Sequence, residues 1–544
     1  MQSTSKTSVA KAFIADADTL GQPSQERYLM PLSVILVIAL VIRMVAAVFS
    51  KGYAFSDDHF DVITIAQGWL DGLPLWLNEP MPPRHSMLYA LLHYALFYVL
   101  EAVGIFSPEV KMTVVRVLHG LYSLLIVYFG YKITERLSNK ANARLVGLML
   151  ALVWFMPFMS VRNLVEMVCI PPFMAAFYLM LKQDQRADKR LMPYFWAGIL
   201  FALAFTFRYH TVLFGAGAGL VILYRRQWKE AVSLFIGFAI GAMLIQGTID
   251  VIFFDYPFHS IVAYFLFNTE NAYDYSTGPF YRFAITILGF LVPPVSAFLM
   301  LGYTRTARLA PAMFWGGLIF FVAHSLFPNK QERFILPLLP LVMILGVIGW
   351  QDFVRTSGFW NKRRKLLAAS WGFFWVLNIL AAVGLAFTYT KKSRVAPLVY
   401  LSEKQDMDAI VLEFGNHSIK NPPLFYLNRL STDYDVYIEE NKLWDDYKNG
   451  EKVLPEEFVM VYTLNGDKTT AALDSAIQAT PYKPDYVVVV GTKDMEERMA
   501  RLNILFPNLK PEHTITPSLY DKLLHFLNPR VHKNESVQIY EVVR

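Results

Sequence analysis

Two adjacent carboxylates and an imidazole stand together in Phe55-Ser56-Asp57-Asp58-His59-Phe60, directly after a long apolar run at 31–50. Acidic side chains at the edge of a hydrocarbon layer are costly unless they face water or a cavity, so they point to a site. A carboxylate placed there can take the proton from an attacking hydroxyl, the work of a general base. Other charged groups recur in equally costly places. Arg43 lies inside the first apolar run, Arg116 begins the exposed end of the second, and Arg162 and Glu166 share a turn. Arg208 stands beside His210, Asp250 ends a later run, and His324 lies inside another. Taken singly, a long cationic chain near a helix end reaches for the interface. The turn Pro328-Asn329-Lys330-Gln331-Glu332-Arg333-Phe334 is sharper, because it carries Lys330 and Arg333 between two apolar runs. A phosphate or pyrophosphate suits such a pair, since arginine offers a two-pronged fork and lysine a point charge. Glu332 or lipid head groups are the other partners open to these cations.

The elements that position these groups follow from composition. The chain has 544 residues, 55% of them hydrophobic and 17% charged, where a soluble domain is nearer ~25% charged. Runs long enough to cross a bilayer fall at 31–50, 112–131, 143–160, 167–182, 193–209, 211–224, 231–250, 283–303, 310–327, 334–350 and 366–388. The expected fold is mainly α, a polytopic membrane helix bundle of about eleven spans. The net charge of +6 is no nucleic-acid signal, because the basic residues cluster in short loops between apolar runs. Those loops are 132–144, 182–190, 225–230, 304–309 and 351–365. The opposite side holds 51–111, with seven acids against three bases, and 251–280, with three acids and no base. Basic loops face the cytoplasm. That rule is kept only if the apolar run 86–105 does not span. The expected topology has a cytoplasmic tail at 1–30, a membrane module at 31–390 and an outer loop at 51–111 with two membrane-hugging helices. Val62, Ile65, Ala66 and Trp69 form the apolar face of the first of these helices. Residues 1–30 lack the features of a cleavable signal peptide, so the first run reads as an uncleaved anchor.

Residues 391–544 change character. Short β-like runs at 458–463, 486–491 and 537–543 alternate with polar helical stretches at 493–505 and 518–527. This pattern predicts a small extracytoplasmic α/β domain. It carries no glycine-rich phosphate loop, and no chemistry is assigned to it.

The same residues resemble a family. Phe55-Ser56-Asp57-Asp58-His59-Phe60-Asp61 resembles the His-Pro-Asp-Glu-x-Phe-Gln stretch in the first luminal loop of polyprenyl-phosphate-mannose-dependent mannosyltransferases, which belong to the GT-C glycosyltransferases. Arg84-His85-Ser86 is similar to that family's Ile-Arg-Ser stretch, Arg162-Asn163 with Glu166 to its Arg-Thr-x-x-Asn segment, and Phe207-Arg208 to its Arg-Pro-Thr turn. His324 through Pro340, with Lys330, Arg333 and Phe334, looks like its His-Lys-x-x-Arg-Phe-x-x-Pro-x-x-Pro motif. The resemblance runs from about residue 31 to 350.

It implies a sugar donor on a polyprenyl monophosphate, a glycan or glycolipid acceptor, membrane lipid as surroundings, and inverting transfer on the outer face. Asp57 and Asp58 are then the catalytic candidates. Lys330, Arg333 and Arg208 would hold the donor phosphate, while Arg84, Arg162, Glu166 and His324 line the donor or acceptor pocket. The leaving group is already a phosphate anion, so neither cofactor nor metal is expected. The rival reading is a lipid or glycolipid transporter, against which stand the lack of an internal repeat and the gathering of charged groups at one rim. A single cysteine, Cys169, excludes intrachain disulfides and leans towards a bacterial inner membrane, with the endoplasmic reticulum as the eukaryotic equivalent.

This topology is checked with single cysteines in a variant lacking Cys169 and an impermeant thiol reagent on intact cells. Position 450 should label and positions 140 and 363 should not. The reverse pattern would overturn the assignment.

Overall fold

The computed structural model describes residues 30–73, 85–184, 186, 190–254, 256–415, 422–438, 442–465, 468–527 and 535–544. The tail 1–29 and Arg84 lie outside the described residues, as do the side chains of Asp57 and Asp58. The chain forms two compact units. One comprises Met1–Val48, Arg84–Leu88 and Arg116–Ala386; the other comprises Phe49–Pro83, Tyr89–Val115 and Phe387–Arg544. The loop at 51–111 therefore groups largely with the C-terminal residues.

The first unit is helical. Among the described residues six helices are long and apolar enough to cross a membrane: Leu32–Phe49, Pro108–Leu137, Val165–Asp184, Trp228–Phe253, Glu332–Thr356 and Arg364–Ala386. Met192–Phe207, Tyr209–Tyr224, Val295–Thr304 and Pro311–Leu326 are apolar but shorter. Two runs expected as single spans are broken. Residues 143–160 fold as Lys140–Leu152 and Phe155–Met159. At that break the Trp154 amide finds the side-chain oxygen of buried Asn378 at 3.0 Å. Residues 283–303 fold as Arg282–Phe290 and Val295–Thr304. Pro293 and Pro294 lie between them, and proline supplies no amide to continue a helical ladder.

Arg43 is explained by the first break. Its fully buried guanidinium donates to the carbonyls of Leu150 (3.0 Å) and Ala151 (3.3 Å), and to Ser123 Oγ at 2.8 Å. The last carbonyls of a helix have no intrahelical partner and carry its negative dipole end. Arg43 satisfies them from the helix next door.

The second unit is built on a six-stranded sheet. Its strands are β1 (Ala409–Glu413), β2 (Ser431–Asp433), β3 (Val459–Leu464), β4 (Pro484–Val490), β5 (Leu509–Ile515) and β6 (Val537–Val542), in the order β2-β3-β1-β4-β6-β5. The first four run parallel, and β6 pairs antiparallel with both β4 and β5. β1, β3 and the last four residues of β4 are buried, as parallel strands covered on both faces must be. The loop helices Ser56–Leu70 and Leu88–Ala102 share this unit's core. Ile63, Ala66, Phe97 and Leu100 pack in one cluster with Ile410, Leu412, Val461 and Val488. The buried row of the first loop helix is His59, Ile63 and Ala66, while Val62, Ile65 and Trp69 are half-buried. Of the stripe expected to meet lipid only Ala66 lies in this cluster, and the face packed with sheet-domain side chains is that of Ile63 and Ala66. Leu88–Ala102 has fifteen residues, about 22 Å of helix, short of the ~30 Å hydrocarbon thickness.

Close helix contact in the first unit depends on glycine. A Cβ at Gly346 would lie 2.6 Å from the Leu299 carbonyl oxygen, and one at Gly349 would overlap the carbonyl of Gly302. Gly349→Ala should therefore lower the thermal midpoint in detergent. Gly219, with open space around it, is the control, and Gly219→Ala should hold or raise the midpoint. Equal midpoints for the two variants would contradict the packing.

Candidate active site

The helical unit gathers its buried charges around one carboxylate. Glu166 lies on the single turn Val165–Val168 and is fully buried. Arg208 reaches it because the helix Met192–Phe207 stops there. The residue is extended (φ −147°, ψ 105°) and leads into the tight turn Tyr209–Thr211. Arg208 Nη2 lies 3.2 Å from Glu166 Oε1, and Arg333 Nε lies 3.8 Å from the same oxygen. Both arginines are about 95% buried. The Phe334 ring serves both guanidinium groups, at 4.9 Å from Arg208 and 5.5 Å from Arg333, and Arg333 Nε donates to Gln331 Oε1 at 3.0 Å. Cations over an aromatic face gain further when desolvated.

Lys330 is fixed differently. Its ammonium donates to the carbonyls of His324 (2.9 Å), Ser325 (2.8 Å) and Phe327. These are the free carbonyls where the helix Pro311–Leu326 ends, so Lys330 closes that helix as a cation at its negative pole. All three of its N–H groups are used. Burial, with Arg282 nearby, pulls the ammonium below the usual lysine range. The Lys330 amide also donates to the Ser276 carbonyl at 2.7 Å, joining this turn to the preceding loop.

His324 Nδ1–H donates to the Phe320 carbonyl (2.8 Å), and its ring meets that of His210 edge-on at 4.9 Å. Tyr264 OH is 3.4 Å from His210 Nε2. Arg162 stacks on the Phe158 ring at 4.5 Å. Asp250 belongs to a separate knot. It accepts from the Ser260 amide (3.1 Å), Ser260 Oγ (2.9 Å) and Gln246 Nε2 (2.8 Å), while Tyr209 OH meets Ser260 Oγ at 2.8 Å. Arg116 Nε donates to the Ala47 carbonyl at 2.6 Å, a backbone contact.

The acid-bearing segment is held within the other unit. Asp57 and Asp58 fall on the first turn of the helix Ser56–Leu70, where the helix dipole favours negative charge. Just before it, Thr390 N donates to the Lys51 carbonyl at 3.0 Å and Thr390 Oγ1 to the Tyr53 carbonyl at 2.9 Å. Gly52, at φ +79°, sits where a side chain would overlap the Thr390 carbonyl. Just after the two acids, the buried His59 ring lies nearly parallel to Tyr53 at 5.4 Å, and its Nε2 shares a 3.0 Å hydrogen bond with Tyr426 OH. Lys391 sits 4.2 Å over Tyr53.

Of the residues singled out from sequence, Arg208, Arg333 and Glu166 come together, with Lys330 and His324 on one adjoining helix end. Sequence reasoning missed Tyr426, Tyr53 and Lys391 as supports of the acidic turn. Nothing local marks Tyr426, which is 367 residues from His59.

A model of the Alg9-like mannosyltransferase family matches residues 34–413. A mannosyltransferase of Arabidopsis thaliana, APTG1, is 23% identical over 325 residues, 57% of this chain and 57% of its own length. The chain thus spans less than two thirds of that relative. GPI mannosyltransferase 3 of Yarrowia lipolytica is 24% identical over 395 residues, 71% of this chain and 73% of its own. Among solved structures, ArnT from Cupriavidus metallidurans bound to undecaprenyl phosphate superposes with a TM-score of 0.59 at 14% identity, covering 94% of this chain and 98% of that one. This is a likeness of fold.

Lys330 should prove structural as well as electrostatic. In Lys330→Met the freed carbonyls keep no donor, at roughly 1–3 kcal/mol for each buried group left unsatisfied. The thermal midpoint in detergent should fall. An unchanged midpoint would show that the carbonyls do not depend on the ammonium.

Proposed function

The chain belongs to the Alg9-like mannosyltransferase family, and we propose that it is a membrane glycosyltransferase that moves mannose from a polyprenyl phosphate to a hydroxyl of a glycan or glycolipid. The observation that carries this reading is the pair of buried guanidinium groups, Arg208 and Arg333, converging on one carboxylate oxygen. Buried cations fixed in place before substrate arrives suit a group whose negative charge grows during reaction. The undecaprenyl phosphate bound by ArnT and the GPI mannosyltransferase activity named for the Yarrowia relative support a lipid phosphate donor and a glycolipid acceptor.

The reaction is a single displacement. The acceptor oxygen bonds to the anomeric carbon while the bond from that carbon to the phosphate oxygen breaks. The electron pair leaves with the phosphate, and configuration inverts. The acceptor proton passes to the carboxylate of Asp57, with Asp58 orienting the hydroxyl. Arg208 and Arg333 hold the phosphate, and Lys330 adds its charge from the adjoining turn. The transfer faces away from the cytoplasm, a reading supported by the charge asymmetry of the loops.

Purified protein is tested with a polyprenyl-phosphate mannose and candidate lipid-linked acceptors. A general base contributes about 10²–10⁴-fold, so Asp57→Asn should lose most turnover while remaining monodisperse, and Asp58→Asn should lose less. Near-normal rates in Asp57→Asn would reject the mechanism. A severe loss confined to Asp58→Asn would move the base by one residue.

A further inference from the structure

We infer that the helix His259–Glu270 lies in the membrane–water interface, with one face among lipid acyl chains and the other supporting the turn that follows Arg208. The helix stands between two apolar elements, Trp228–Phe253 and Arg282–Phe290. It has twelve residues, about 18 Å of helix, too short to cross a hydrocarbon layer of ~30 Å. Its polarity is the reverse of a helix lying on a protein surface in water. Ser260 and Tyr264 are buried. Ser260 Oγ donates to Asp250 at 2.9 Å and meets Tyr209 OH at 2.8 Å, while Tyr264 OH is 3.4 Å from His210 Nε2. Asn268, one turn on, donates to the Tyr264 carbonyl at 2.8 Å. The other side carries Val262, Phe265, Leu266 and Thr269, whose spacing puts them on one face. All four are exposed, Phe265 at 68%. Thr269 turns its hydroxyl onto the Phe265 carbonyl at 2.7 Å, so this face offers water little to bond.

A helix beside water turns its apolar side inward. One that buries its hydroxyls and exposes Phe and Leu has an apolar medium outside, and three observations identify that medium as lipid. The preceding span exposes Leu244, Val251 and Ile252, and the following helix exposes Ile285, so apolar exposure runs on through the segment. Glu270, at the last position, is the one formally charged side chain of the helix, so no charge is forced into hydrocarbon. Exposed Tyr273, Tyr275 and Tyr281 follow, and tyrosine gathers at the headgroup level, where its ring meets lipid and its hydroxyl meets water. Lipid contact therefore bears on the arginine turn. Ser260 meets Tyr209 and Tyr264 meets His210, the two residues after Arg208, which reaches Glu166 at 3.2 Å.

The test places a spin label on the exposed face of the full-length protein. Val262→Cys, Phe265→Cys and Leu266→Cys, each in a Cys169→Ala background, are labelled and reconstituted in phosphatidylcholine–phosphatidylglycerol liposomes. Power saturation then compares collisions with oxygen, which partitions into lipid, and with a nickel chelate, which stays in water. Oxygen should dominate at all three positions, at a depth of about 5–10 Å below the headgroups. The exposed Val453 of the sheet unit, as Val453→Cys, is the aqueous control and should favour nickel. Nickel dominance on the helix would show a wet face and overturn the inference. Poor access to both reagents would show a protein partner or a second copy in place of lipid and overturn it equally. A second measurement needs no label. Phe265→Glu should lower the thermal midpoint in liposomes, because its carboxylate enters lipid, whereas on a wet face the same change is near neutral. An unchanged midpoint sinks the inference.

Discussion

A carboxylate with no exposure to solvent is tolerated only when cations or donors reach it, because its desolvation costs several kcal/mol. Glu166 is such a group, and much of the helical unit's geometry answers to it. The helix Met192–Phe207 must stop where Arg208 can turn inward, and the turn after Pro311–Leu326 must bring Arg333 back to the same oxygen. That turn is in turn pinned by Lys330, whose ammonium closes the helix end. Removing one partner from such a set takes away part of what offsets the burial of the others.

The same logic recurs without a carboxylate at Arg43. Its guanidinium caps a helix that ends within an apolar run and sits among carbonyls and a hydroxyl. A charged residue inside an apolar run invites a functional reading, yet here it repairs a broken ladder. Asp250 is another such case, with its oxygens occupied by Ser260 and Gln246. In the helical unit Arg43, Lys330 and Asp250 thus serve backbone ends and neighbouring polar groups, while Arg208 and Arg333 gather at Glu166.

The C-terminal sheet, whose sequence carries no glycine-rich phosphate loop, packs elements of the first loop. Its core includes both helices of the first loop, and residues 388–391 hold the strand entering the acidic turn. A loop of this length would be costly to order alone. Burying Ile63 and Ala66 in the sheet cluster, and His59 against Tyr53 and Tyr426, supplies contacts that hold the helix which Asp57 and Asp58 begin.

The membrane character, the GT-C family and the residue types of the site were legible in the sequence, because hydropathy and short motifs are local properties. Arg208, Arg333, Lys330 and Glu166 could each be named from their cost in an apolar setting. Three of the six strands, β3, β4 and β6, announced themselves as apolar runs. β1 is apolar too but only five residues long, β2 has three residues and β5 is largely polar, and these three were not expected. Other features depended on partners far along the chain. Whether a cation meets a carboxylate, a carbonyl or a ring is decided by which helices cross, so Lys330 turned out to be a helix cap and Arg43 another. The helix Ser56–Leu70 shows an apolar stripe that fits lipid or protein equally well. Only the fold, by supplying a sheet hundreds of residues later, decides that Ile63 and Ala66 are buried in protein while Val62, Ile65 and Trp69 stay half-buried, since a stripe specifies that something apolar covers it and not what does.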